Sequence, residues 1–168
     1  MQYKKGMVVF MRKRFFIGTV LGVLLGFWGK MVLDSKILKI NDKKTDKFKK
    51  YYILLDQWLS MKQTKTDITG YFKENGYEKI AIYGMGELGN RLYDELKDTD
   101  IYVAYGIDKN NKTSYPGLKI YSLEDDFENA DVIVVTAIFA YSIIKKELAE
   151  KTNIPVISLE DVIYGIDI

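Results

Sequence analysis

Neither cysteine nor histidine occurs among the 168 residues. The first absence removes disulfides, thiolate metal ligands and a thiol nucleophile, and is compatible with any redox compartment. The second removes the ordinary neutral-pH general base and the commonest zinc ligand. Chemistry on this chain would have to run on Asp, Glu, Lys, Tyr, Ser or a bound cofactor, and no metal site is expected. A charge excess is also missing: 25 Lys and Arg stand against 23 Asp and Glu, which gives no general attraction to nucleic acid. These absences lean against an enzyme. The length suits one core-bearing domain plus an appendage.

What is present falls into segments. Residues 1–14 form a basic flank with Lys4, Lys5, Arg12, Lys13 and Arg14. "FFIGTVLGVLLGFWG", residues 15–29, carries no charge, and if Lys30 snorkels the apolar stretch reaches Leu33. As a helix, 15–33 would span about 28 Å, close to the hydrocarbon thickness of a bilayer. No alanine precedes Ala81, so no A-x-A cleavage signal follows the run, and an uncleaved single-pass anchor is expected. Gly18, Gly22 and Gly26 recur every fourth residue, a small-residue stripe through which two anchors could associate. Residues 34–45 read as a basic juxtamembrane linker suited to anionic headgroups. From Lys30 to Lys50 there are eight lysines, against five basic residues before the run, a modest bias toward a cytoplasmic globular part.

From 46 to 77 an amphipathic helix and a short helix are expected. In 46–62 Phe48, Tyr51, Tyr52, Leu55, Trp58 and Leu59 follow helical spacing, and that face is expected to pack on the chain's own domain. Asp67 suits a helix start and Gly76 a helix end. Residues 78–168 then alternate strand and helix. "KIAIY", "IYVAYGID", "LKIYSL", "DVIVVTA" and "IPVISL" read as strands, with helices after the first and fourth. The pattern predicts an α/β fold with a Rossmann-like parallel sheet of about five strands.

Gly84, Gly86 and Gly89 make G-x-G-x-x-G directly after the first strand, and Asp108 closes the second strand nineteen residues beyond Gly89. Preceding strand, following helix and downstream acid are the three conditions that give this motif meaning. The first glycine permits the turn, the second lets a phosphate approach the backbone, the third lets helix and strand pack, and the acid accepts hydrogen bonds from a ribose diol. An aspartate there favours a free 2′-hydroxyl. Glu87 would compete with an anion for the loop N–H groups, and Arg91 could neutralise it. Tyr141 with Lys145, and Tyr115 with Lys119, have the Y-x-x-x-K spacing of a proton-passing tyrosine. In a chain this rich in both residues such pairs arise by chance, so no catalytic residue is assigned.

Residues 78–168 resemble the NAD-type Rossmann family. "KIAIYGMGELGNRLYDEL", "VAYGID" and "DVIVVTA" are similar to the small Rossmann domains of bacterial cell-surface polysaccharide enzymes, namely the amino-terminal domains of sugar acyltransferases and the carboxy-terminal domains of sugar C-methyltransferases. The resemblance implies a nucleotide or nucleotide-sugar ligand, NAD among them. It implies contacts from Gly84, Met85, Gly86, Glu87, Leu88, Gly89, Asp108, Thr136 and Ala137, and a polysaccharide-assembly enzyme as partner. Acyl transfer does not carry over, because no hexapeptide-repeat domain and no histidine are present. Two other readings stay open: a ligand-free adaptor for assembly at the membrane, and a small NAD-dependent oxidoreductase or epimerase.

Overall fold

The computed structural model describes the backbone of residues 3–109 and 115–166. In the first helix the side chains of 3–25, 27, 35–38, 40, 41 and 43 lie outside the description. The chain divides into two units, Met1–Lys49 and Lys50–Ile168.

Helix α1 runs Tyr3–Thr64. The segment expected to be a linker, 34–45, is helical, since neither glycine nor proline occurs between Lys30 and Ile68 to interrupt the hydrogen-bond ladder. Among the described residues no helix is long and apolar enough to cross a membrane. The expected anchor at 15–33 falls mostly on side chains outside the description, as do Gly18 and Gly22. Gly26 is exposed, as are Trp28, Met31, Val32 and Leu33.

In the second unit α2 (Thr69–Glu74) leads to β1 (Lys79–Tyr83), α3 (Glu87–Leu96), β2 (Tyr102–Ile107), β3 (Ile120–Tyr121), β4 (Val132–Val135), a 3₁₀ turn (Ile138–Ala140), α4 (Tyr141–Ala149), β5 (Val156–Ser158) and α5 (Leu159–Tyr164). The five strands form one parallel sheet in the order β3-β2-β1-β4-β5. β1 is central, and the strand order reverses between β1 and β4. This is the Rossmann-like α/β arrangement expected from the alternating pattern.

Period-two alternation assigns side chains to the two faces. Ile80 and Ile82 join Val132, Val134, Leu92, Leu96, Phe72 and Val162 on one side. Ala81 and Tyr83 join Tyr105, Ile133, Val135, Ile144 and Leu148 on the other. β4 is buried at all four positions, as its unbroken apolar run requires of a strand covered on both faces.

The C-terminal part of α1 packs on the first face as expected, but through a stripe that keeps only Tyr51 and Trp58 of the six expected residues and adds Leu54 and Met61. Leu54, Trp58 and Met61 are buried and Tyr51 half-buried, whereas Phe48, Tyr52, Leu55 and Leu59 are exposed. The helix carries apolar residues on two faces, and the sheet needs one. On the packed face the Trp58 indole Nε1 donates to Glu95 on α3 at 2.8 Å, and Lys62 pairs with the same carboxylate at 2.7 Å.

Two helix termini show their chemistry directly. The Asp67 carboxylate accepts from the Thr69 N–H at 2.9 Å, and Gly76 ends the α2 turn at φ +72°. Helix α5 was not expected from sequence. It begins with a capping box in which the Glu160 N–H donates to Ser158 Oγ and Asp161 accepts from the Ser158 N–H. The string Ser-Leu-Glu-Asp is the signal that could have located it.

Candidate functional site

The site is built where β1 and β4 part. Both strands end at the same edge of the sheet, Tyr83 opposite Val135, and the segments leaving them diverge. Parallel α/β sheets open a crevice at such a point. Residues 84–89 lie on its β1 side, and Thr136 and Ala137 on its β4 side.

The three glycines have three different physical roles. Gly84 sits at φ +95°, a conformation strained for any side chain, and its N–H continues the sheet by donating to Ile107 O at 2.8 Å. Gly89 lies in the first turn of α3 so close to that loop that a Cβ would stand 2.2 Å from Gly84 O. Gly86 caps α3 at φ −83°, and a Cβ there would meet no protein atom within 4 Å. The first and third glycines are required by the chain itself, and the second is required by nothing inside it.

Around the loop the side chains act as supports. Thr136 is buried, and its hydroxyl donates to Gly84 O at 2.6 Å. Met85 turns inward: it is buried, and a Cβ on Gly106 would touch its Cγ at 2.8 Å. The Met85 N–H donates to Asp108 Oδ2 at 2.8 Å, so the acid at the end of β2 is tied to the glycine loop. Glu87 is exposed, and Leu88 and Ala137 are half-buried. Arg91, one helical turn after Glu87, is exposed too.

The N–H groups of Gly86, Glu87, Leu88 and Gly89 have no protein acceptor among the described residues, as expected for the first turn of a helix. They form a partly positive terminus able to receive a phosphate or carboxylate. Lys109, next to Asp108, pairs with Glu147 of α4 at 3.1 Å. Tyr83 places its hydroxyl in the same quarter, buried and without a partner among the described residues. Burial pushes its pKa up.

Of the residues expected to touch a ligand, Gly84, Gly86, Gly89, Asp108, Thr136 and Ala137 converge on this crevice. Gly86, Glu87 and the α3 N–H groups lie at its open side, whereas the Met85 side chain and the Thr136 hydroxyl face the protein. The tyrosine–lysine pairs are elsewhere. Tyr141 donates its hydroxyl proton to the carbonyl of Val156 on β5 at 3.0 Å and accepts from Lys145 at 3.1 Å. Lys119 bonds Tyr121 at 2.7 Å, and Tyr115 stacks edge-on against Tyr93. Among the described residues no cluster of acids could hold a metal ion.

Residues 76–156, which hold the first four strands, the glycine loop and the opening residue of β5, match the family model described as C2185-like, N-terminal. No curated protein and no solved structure matches the chain.

Proposed function

We propose that the protein is a nucleotide- or nucleotide-sugar-binding Rossmann module held at a membrane by residues 15–33, with its globular part cytoplasmic, and accessory to cell-surface polysaccharide assembly. Gly86 carries the ligand reading. It is the glycine of the triplet with no internal steric demand, and it sits where the α3 N–H groups face outward. A phosphate approaching those groups needs the space that a side chain at 86 would fill. Asp108, bonded to the loop and half-buried, stands where a ribose diol would be met. The membrane part rests on the uncharged run and its basic flank, and the polysaccharide part on the resemblance of the strand and loop strings.

No catalytic residue belongs to this reading. The crevice offers backbone N–H groups to an anion and the Asp108 carboxylate to a hydroxyl donor, while exposed Glu87 is the group an anionic ligand would have to displace. The module would present a bound ligand, or report its level, to a neighbouring enzyme.

The test is thermal unfolding of the full chain against NAD, NADP, coenzyme A, S-adenosylmethionine and a panel of nucleotide sugars. A ligand that binds only the native state raises Tm by mass action. The reading expects one nucleotide class to do so in the native chain and not in Gly86→Val. A folded chain that ignores the whole panel rejects it.

A further inference from the structure

Four tyrosines pack on the α4 side of the sheet, and the fold gives three of their hydroxyls a partner. Tyr105 donates to Glu128 O at 2.6 Å, Tyr141 donates to Val156 O at 3.0 Å, and Tyr121 accepts from Lys119 at 2.7 Å. Tyr83 is the exception. The residue is 3% exposed, and its hydroxyl is buried with no hydrogen-bond partner among the described residues. An oxygen so placed has lost water and gained nothing, which native interiors avoid unless something else bonds it.

Its surroundings say what that something is. Tyr83 is the last residue of the central strand β1, at the edge of the sheet where the crevice opens. The charges that act on its hydroxyl are those of Lys109, Glu147 and Asp108. Lys109 follows β2 and Glu147 belongs to α4, so their 3.1 Å ion pair crosses the end of β1 on the side that Tyr83 faces. Glu147 Oε2 is buried as well, makes no hydrogen bond and meets the Lys109 ammonium alone among the described residues. Two buried oxygens, each short of a hydrogen bond, thus stand beside one ion pair. The Lys109 side chain is 60% exposed, and a pair so open to water is weak and easily parted.

We propose that Tyr83 and Glu147 form a subsite for an uncharged, hydroxyl-bearing group, the sugar of a nucleotide sugar, which Lys109 admits by swinging aside. The inference rests on the nucleotide reading of the crevice and selects among its ligands. A single ligand hydroxyl donates to Glu147 Oε2 while accepting from the Tyr83 O–H, which supplies both missing bonds. A phosphate does not suit the place. It would meet two carboxylates, Asp108 and Glu147, against one lysine, and like charges this close repel. The phosphates belong at the α3 N–H groups on the other side of the loop. Charge therefore divides the ligand between the two parts of the crevice.

The test compares UDP-glucose, UDP-N-acetylglucosamine and GDP-mannose with UDP and GDP on the full chain in mild detergent, by calorimetric titration and thermal unfolding. Tyr83→Phe removes an oxygen that has no partner, so the Tm without ligand should stay the same or rise. It should bind the nucleotide sugar preferred by the parent chain about tenfold more weakly and the matching nucleoside diphosphate equally well. Tyr141→Phe is the contrast: it loses the bond to Val156 O, so its Tm should fall by about 2–4 °C while the preference for the sugar form is kept. A Tyr83→Phe chain whose Tm falls as far overturns the proposal, because its hydroxyl then has a partner in the free protein, such as a resident water. Equal affinity of the parent chain for both forms overturns it too, as does a Tyr83→Phe chain that keeps the sugar preference or weakens both forms alike. In those cases the nucleotide reading stands. If the parent chain binds neither form, that reading and this one fall together.

Discussion

The backbone N–H of Met85 donates to the carboxylate of Asp108 at 2.8 Å, joining the glycine loop to the strand beside it. With Thr136 Oγ1 on Gly84 O at 2.6 Å, the loop is held from both neighbours of β1. It is organised before any ligand arrives, which reduces the ordering cost of binding.

Gly86 and Gly89 should respond very differently to the same small substitution. Gly89→Ala drives a Cβ into the Gly84 carbonyl at 2.2 Å and should cost about 2–3 kcal/mol in urea unfolding. Gly86→Ala meets open space at an ordinary φ and should change stability by less than about 0.5 kcal/mol. Equal losses at both positions would contradict the division of roles.

Asp108→Ala removes the acceptor for Met85. The half-buried bond should be worth about 1 kcal/mol of stability. The loss should appear also as faster amide exchange at Met85, measured by NMR. Asp108→Asn, which keeps an acceptor oxygen, should recover most of the protection.

The two stripes of α1 can be told apart by paired substitutions. Leu54→Ala and Met61→Ala, at positions essentially without exposure, should each cost about 2–4 kcal/mol. Leu55→Ala, between them in sequence and facing outward, should cost little. The Trp58 indole is held by Glu95, whose side chain is only 12% exposed; Glu95→Gln should break the Lys62 ion pair and shift Trp58 fluorescence, at a cost of about 1 kcal/mol because Gln keeps an acceptor for the indole.

At acid pH the group to follow is Asp131. The N–H groups of Lys79 and Glu78 donate to it at 2.7 and 2.9 Å and hold its carboxyl below the usual range. A lowered value means the ionised form belongs to the folded state. Its contribution is present above the ordinary value of 3.8 and is lost as pH falls through the lower folded value. Asp131→Asn should flatten stability against pH on that limb.

At alkaline pH the sign reverses. Burial pushes Tyr105 from 10.0 up to about 12, and its hydroxyl donates to Glu128 O at 2.6 Å. The unfolded chain loses this proton first, so stability should fall from about pH 10 upward. Tyr105→Phe should make that slope shallower, the other raised tyrosines such as Tyr83 keeping part of it, while lowering the plateau by the lost hydrogen bond, as seen in denaturant titrations from pH 8 to 11.

Sequence by itself determined the α/β alternation, the position of the glycine turn between β1 and α3, the buried character of β4 and the acid at the end of β2. These depend on short-range rules: period-two and period-3.6 patterning, a run apolar on both sides, and glycines where the backbone must turn. Tertiary structure alone decided which of two apolar stripes of α1 meets the core, because both have helical spacing and only the packed fold shows which one the sheet face takes. It also turned Met85 and the Thr136 hydroxyl inward, and spent Tyr141 on the β5 backbone. Spacing can bring a residue to an edge, but the direction its side chain takes there depends on neighbours far away in sequence. Only the fold could separate the glycines, because the contacts that demand Gly84 and Gly89, and leave Gly86 open, come into being when β1, β4 and α3 meet.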